Sequence, residues 1–317
     1  MNELNRPQAL PLVLRRVLLA IQFRTIVPVR VKGGVSEEEL AGSVPFFPLA
    51  GAFQGILLAA SSLVFLNLFG PRIAGGLALA VLIVSSGGFD LDGLADTADA
   101  LAVKIKTVPG DPAAARQKRL AIMKEGPVGA MGAVAISLSV LLKYLLISGL
   151  LEAGYGLAGW PASWPADWSA GWPAGKAAVP ALLALMPAFS KWATIPAMRR
   201  GRPARQDGLG RIFIPRTGAG DVAVSALLLA ALWFAAFYPA VFRLGTISLS
   251  ACAGFFILLL VFFYALSAAA ARFFAGKWGG LTGDNLGALT ELADVFFLLA
   301  ALLWLGHLPG GHFTHFI

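Results

Sequence analysis

Seven of the chain's 17 acidic residues fall in two short segments, Asp90 to Asp99 and Asp284 to Asp294. Each segment abuts an apolar run, where a carboxylate is costly to hold. The first reads Gly87-Gly88-Phe89-Asp90-Leu91-Asp92-Gly93-Leu94-Ala95-Asp96-Thr97-Ala98-Asp99. A helix from Asp92 puts Asp92, Asp96 and Asp99 at i, i+4 and i+7, within roughly 60° of arc. Three like charges on one stripe repel. A divalent cation reverses the sign of that interaction. Oxygen donors without a histidine or cysteine cluster suit Mg²⁺ or Mn²⁺ better than zinc. The stripe is therefore expected to bind a metal through Asp92, Asp96 and Asp99, with Asp92 and Asp96 also taking part in catalysis. Asp90 points away from it.

The second segment runs from Gly279 through Thr282, Gly283, Asp284 and Asn285 to Glu291 and Asp294. Asp284 and Glu291 are seven apart and share a face of any helix that starts by Asp284. Thr282, Asp284 and Asn285 suit capping of that helix. Thr282 and Asn285 are also candidates for substrate contact. Capping does not account for Glu291, which lies inside the apolar run. Asp284 and Glu291 are thus candidate catalytic carboxylates. The other reading of this set is intramembrane ion pairing with Lys143 or Lys191.

The third element is basic. Arg199 to Arg211 is a glycine-punctuated arginine loop containing Arg202, Arg205 and Gly208. Arginine presents a planar fork that matches phosphate oxygens. Membrane topology alone accounts for such a loop. Beside a carboxylate-held cation, phosphate binding becomes the stronger reading. Lys124, next to the turn Glu125-Gly126-Pro127, joins the same set. The chemistry expected is metal-dependent transfer on a phosphate ester or diphosphate, with one carboxylate accepting a hydroxyl proton.

The elements that must hold these groups follow from composition. Of 317 residues, 58% are hydrophobic and 13% charged, against roughly 25% charged in soluble domains. This excludes a soluble globular protein and a disordered chain. A single cysteine, Cys252, excludes a disulfide scaffold. The fold class expected is all-α, a polytopic helical membrane protein forming one integral catalytic domain over 1–317. Runs near 45–69, 73–88, 128–150, 177–198, 222–242, 246–271 and 286–306 are the candidate spans. The second falls short of the roughly 20 residues a span needs, and is expected to end as a half-helix leading into the first acidic segment.

Basic residues crowd the loops 103–124, 199–221 and 272–284, while the opposite loops carry only Arg72, Lys176 and Arg243. The basic loops should face the cytoplasm, and with them both active-site loops, 87–126 and 199–221. The net charge of +8 is read as this topology and as affinity for an anionic bilayer, and no nucleic-acid partner is expected. Residues 10–30 are expected to form an amphipathic interfacial helix, ended by Pro28. Residues 32–43 are expected to be a solvated connector. The 151–176 segment, with Trp160, Trp164, Trp168 and Trp172 spaced by four, is expected as an outer interfacial loop. His307, His312 and His315 fall in an expected frayed tail. A homo-oligomer is compatible with the chain.

At these motifs the sequence resembles the cobalamin synthase (adenosylcobinamide-GDP ribazoletransferase) family, nearly end to end. The resembling stretches are Ala20 to Val29, Phe47-Pro48-Leu49-Ala50-Gly51 with Gly55, Gly87 to Asp99, Ile122 to Gly129, Gly208-Leu209-Gly210, and Thr282-Gly283-Asp284 through Glu291. The resemblance implies joining of α-ribazole, or its 5′-phosphate, to adenosylcobinamide-GDP with release of GMP, a late step of vitamin B12 assembly. It further implies Mg²⁺ dependence, an inner-membrane location, and metal and diphosphate binding by Asp92, Asp96 and Asp99, with Asp284 and Glu291 in the site.

The chain departs from the family pattern at four places. It has Asp90 where histidine is usual and Ala100 where glycine is usual. It has Glu125-Gly126-Pro127 for an aspartate–serine–arginine, and Asp294 for a glutamate. Two other readings are open. Asp92-Gly93-Leu94-Ala95-Asp96 partly resembles the acidic motif of CDP-alcohol phosphotransferases, but Asp96 stands where that motif needs arginine. A cation-coupled transporter would use intramembrane carboxylates, but near mid-bilayer and with internal repeats.

Overall fold

The computed structural model describes residues 11–29, 31, 33–102, 112–155 and 174–308. Among the described residues the regular structure is helical, with one isolated bridge between Pro203 and Leu281. The long apolar runs become α3 (Phe47–Phe69), α4 (Pro71–Ser86), α7 (Ala130–Tyr155), α8 (Ala174–Arg200), α10 (Ala219–Tyr238), α11 (Leu249–Trp278) and α12 (Gly283–Gly306). Short helices α1 (Leu12–Arg24), α2 (Glu37–Ala41), α5 (Phe89–Ala102), α6 (Pro112–Ile122) and α9 (Gly210–Phe213) lie between or beside them.

Among the described residues, six helical segments are long and apolar enough to cross a membrane by themselves. The chain is a multi-pass helical membrane protein. The pair α4 and α5 reaches that standard only jointly, and it is bent by 86°. The expected half-helix is therefore present, and it turns sharply at its end. Gly87 and Gly88 both have positive φ, 67° and 72°, a conformation that side-chain-bearing residues rarely adopt.

The middle of the bundle is α8, with 89% of its apolar window buried. It packs most extensively on α3, and also on α12, α10 and α11. Phe189 of α8 is the aromatic hub. Its ring lies 5.7 Å from Trp233, 6.0 Å from Phe256, 5.9 Å from Phe263 and 5.3 Å from Phe297, so one side chain ties α8 to three other helices. Tilted and edge-on rings at these distances add to their area burial.

Three connectors differ from expectation. The N-terminal helix stops at Arg24, and Thr25 is already extended, well before Pro28. The Thr25 hydroxyl donates to Ile21 O and accepts from Val27 N, so local side-chain bonding ends the helix before the proline can. Residues 32–43 are not simply a solvated connector. Ser36 caps α2, Glu37 pairs with Arg211 and Arg216, and Glu39 pairs with Arg15. The loop after α5 contains α6. The tryptophans at 160–172 and His312 and His315 lie outside the described residues.

Candidate functional site

The local sequence explains how α5 is placed. After the Gly87-Gly88 bend, Gly93 lies against the backbone of α12. A Cβ there would come within 2.7 Å of Asp284 O. From the other side, a Cβ on Gly287 would meet Asp90 O at 3.1 Å. These two glycines let the helices touch backbone to backbone. Asn285 Nδ2 donates to the Thr97 hydroxyl at 3.2 Å and sets the register. Asp90 is buried, 3.2 Å from Lys191 Nζ and 3.6 Å from Arg24 Nη1. The start of α5 is thus pinned to α1, α8 and α12.

With one face of α5 buried, the opposite face is open. Asp92 is exposed and Asp96 half-buried. Asp92, Asp284 and Asp99 all repel the Asp96 carboxylate, while Arg205 attracts it. Asp284 opens the first turn of α12, and its Oδ2 accepts from Arg205 Nη2 at 2.9 Å. Three expected residues, Asp92, Asp96 and Asp284, and the expected Arg205 therefore meet at one end of the bundle.

The arginine loop reaches this point by docking on the segment before α12. Leu281 N donates to Arg202 O at 2.8 Å, Ala204 N donates to Leu281 O at 2.9 Å, and Arg202 Nε donates to Gly279 O at 2.8 Å. Gly208 sits at φ 76° in the exposed turn. Lys124 closes over the loop by pairing with Asp207, and this hydrogen bond holds the exposed Asp207 carboxyl below its ordinary range. Loops distant in sequence are thus brought to the same rim.

The remaining candidates are placed differently. Asp99 turns toward the start of α7, where its two oxygens accept from Gly129 N at 2.7 Å and Gly132 N at 2.8 Å. Thr282 and Asn285 form a reciprocal capping box and are buried. Glu291 accepts from Lys143 Nζ at 2.7 Å and from the Ser139 hydroxyl at 2.5 Å. Asp294 lies 3.5 Å from Lys143 and accepts from Ser190. The ion-pairing alternative for the second acidic segment therefore describes Glu291 and Asp294, while Asp284 stays at the rim. Among the described residues, no three aspartate, glutamate, histidine or cysteine side chains are gathered tightly enough to hold a metal by themselves.

Beneath the rim, Gln54, Ser86, Asp90, Lys143, Lys191 and Glu291 are among the residues lining a small, partly enclosed space of about 20 Å³, room for a single water. Gln54 is fully buried. Its amide donates to Arg24 O at 3.1 Å, while its carbonyl has no partner among the described residues. In the sequence nothing marks Gln54, Ser139 or Ser190 as members of this set. The only signal available was a polar residue inside or beside an apolar run.

A family model described as cobalamin-5-phosphate synthase matches residues 16–302. A protein of Thermodesulfovibrio yellowstonii named adenosylcobinamide-GDP ribazoletransferase is 30% identical over 93% of this chain and 100% of its own length. A protein of the same name from Geotalea daltonii is 30% identical over 90% of this chain and 96% of its own. One from Escherichia coli is 32% identical over 90% and 97%. No solved structure matches the chain.

Proposed function

The chain belongs to the cobalamin-5-phosphate synthase family, and on that footing we propose that it joins adenosylcobinamide-GDP to α-ribazole, or to α-ribazole 5′-phosphate, with release of GMP. The observation that carries this reading at the level of residues is the convergence of Asp92, Asp96 and Asp284 with Arg205 at one rim. Separated acids beside an arginine fork suit a diphosphate that brings its own oxygens to a cation.

Mg²⁺ fits this donor set. It is commonly bound through one or two carboxylates completed by water and substrate phosphate, and needs no closed protein cage. Asp92 and Asp96 would hold it. Bound there, the cation would neutralise diphosphate oxygens and the departing GMP. Asp99 stands next to this pair and positions α7 through its two backbone bonds.

Arg205 orients the diphosphate by its fork, with Arg202 and Lys124 at the loop edge. The ribazole 3′-hydroxyl attacks the phosphorus on the cobinamide side, its proton passes to a rim carboxylate, and the bond to GMP breaks. Asp284 is the acceptor assigned here, because it stands at the same rim beside Arg205 and has no part in holding the cation. The excess of arginine and lysine on the loops of this end supports a cytoplasmic orientation in the inner membrane.

The reaction is tested by giving purified protein in liposomes adenosylcobinamide-GDP and α-ribazole 5′-phosphate. Stoichiometric GMP and a corrinoid phosphodiester are expected. A folded protein that yields neither, but turns over CDP-activated alcohols, would replace this reading with the CDP-alcohol phosphotransferase one.

A further inference from the structure

Helices α10 and α11 both pack on α8 but touch each other sparingly. Between them is an open groove of about 400 Å³, within the roughly 300–1,000 Å³ of ligand sites. Trp192 of α8 contributes to its floor, Ala219 and Ala223 of α10 to one wall, and Leu260 and Tyr264 of α11 to the other. The lining is almost wholly apolar. It begins at the first turn of α10 and runs to Ala226, about 10 Å along the helix. It therefore opens sideways, toward lipid, in the leaflet next to the acidic rim.

Two features distinguish this groove from ordinary lipid-facing surface. The first is charge. Arg199, in the last turn of α8, lines its rim-side end and is exposed. Among the described residues it has no acidic partner, whereas Arg200 is engaged, donating to the Tyr264 hydroxyl at 3.0 Å with its guanidinium 4.4 Å from the ring centre. The second is an unmade bond. Trp192 is only 1% exposed, and its indole N–H has no acceptor among the described residues. A buried donor of this kind ordinarily finds a partner.

We propose that the groove is a binding site for one anionic phospholipid. An acyl chain fills the channel between α10 and α11 over the Trp192 ring, and the phosphate pairs with Arg199. The site would hold the side of the bundle nearest the arginine loop, since Arg199 precedes Arg202 and Arg205 on the same stretch of chain. The inference concerns a lipid alone and does not depend on which reaction the rim catalyses.

Native mass spectrometry of the full-length protein, titrated with phosphatidylglycerol or phosphatidylcholine, tests it without substrates. The wild type should retain one phosphatidylglycerol with about fivefold preference over phosphatidylcholine. Ala223→Trp fills the groove and should lose that molecule. Leu227→Trp, on the outward side of α10, should keep it. Arg199→Gln should keep a lipid but lose the preference. If Ala223→Trp does not fold, Val261→Trp on the opposite wall reads the same quantity. Equal retention by the wild type and the filled variants overturns the proposal, as does the absence of an anionic preference. A dimer that the filled variants break apart would also overturn it, by making a second copy the occupant.

Discussion

Glu291 and Lys143 meet at 2.7 Å with both side chains buried, one on α12 and the other on α7. The pair does not stand alone. Ser139 donates to the same carboxylate oxygen, and Asp294 lies 3.5 Å from the same ammonium. Nearby, Asp90 joins Lys191 and Arg24. Three acids and three bases thus balance in the interior, drawn from α1, α5, α7, α8 and α12. Such a set is tolerated because each charge has a partner, and removing one member strands the others.

Lys143→Met should therefore destabilise the protein strongly, by roughly 3–5 kcal/mol, because Glu291 and Asp294 lose their cation. Glu291→Gln should cost less, since Lys143 keeps Asp294. Thermal unfolding in detergent ranks the two. The turnover of folded Glu291→Gln should stay within about tenfold of wild type. A stable Glu291→Gln protein with turnover lost by several hundredfold would move Glu291 into the chemistry.

Asp92→Asn and Asp96→Asn should behave in the opposite way. Both face the open side of α5, so the fold should survive and thermal stability should change little. GMP release should fall by about 10²–10⁴. Near wild-type release from folded Asp92→Asn would remove the metal assignment.

Chelation gives the same site a different test. EDTA should abolish GMP release by the wild type, and added Mg²⁺ should restore it. Asp92→Asn should need a higher Mg²⁺ concentration for whatever activity remains. Release that is indifferent to EDTA would leave the positive charge for the diphosphate to Arg202, Arg205 and Lys124.

Asp99→Ala separates a cap from a metal ligand. Losing two backbone acceptors at the start of α7 should destabilise by about 1–2 kcal/mol. The Mg²⁺ requirement of the folded fraction should hardly move. A large shift in that requirement, with stability unchanged, would place Asp99 on the metal.

Arg205 links the loop to Asp284, and its fork cannot be copied by lysine. Arg205→Lys should raise the KM for the nucleotide substrate by about tenfold or more, from a charge-assisted hydrogen bond worth roughly 1.5–3 kcal/mol. A KM unchanged in steady-state GMP assays would assign Arg205 to holding Asp284 alone.

The sequence by itself determined the membrane class, because apolar runs of span length leave the backbone no alternative to helix in lipid. It also determined the acidic stripe, because Asp92 and Asp96 differ by one helical turn whatever surrounds them. The bend before the stripe was readable in part from Gly87-Gly88. What the sequence left open was which side of each helix faces inward. Asp284 and Glu291 have the same spacing logic and the same charge, yet one reaches the rim toward Arg205 and the other is neutralised by Lys143. Asp99 belongs to the stripe by periodicity, yet α7 begins beside it and takes up its oxygens. These outcomes turn on residues dozens to hundreds of positions away. Helical period fixes a side chain's direction about its own axis, but the partner that meets it is decided only when the helices pack.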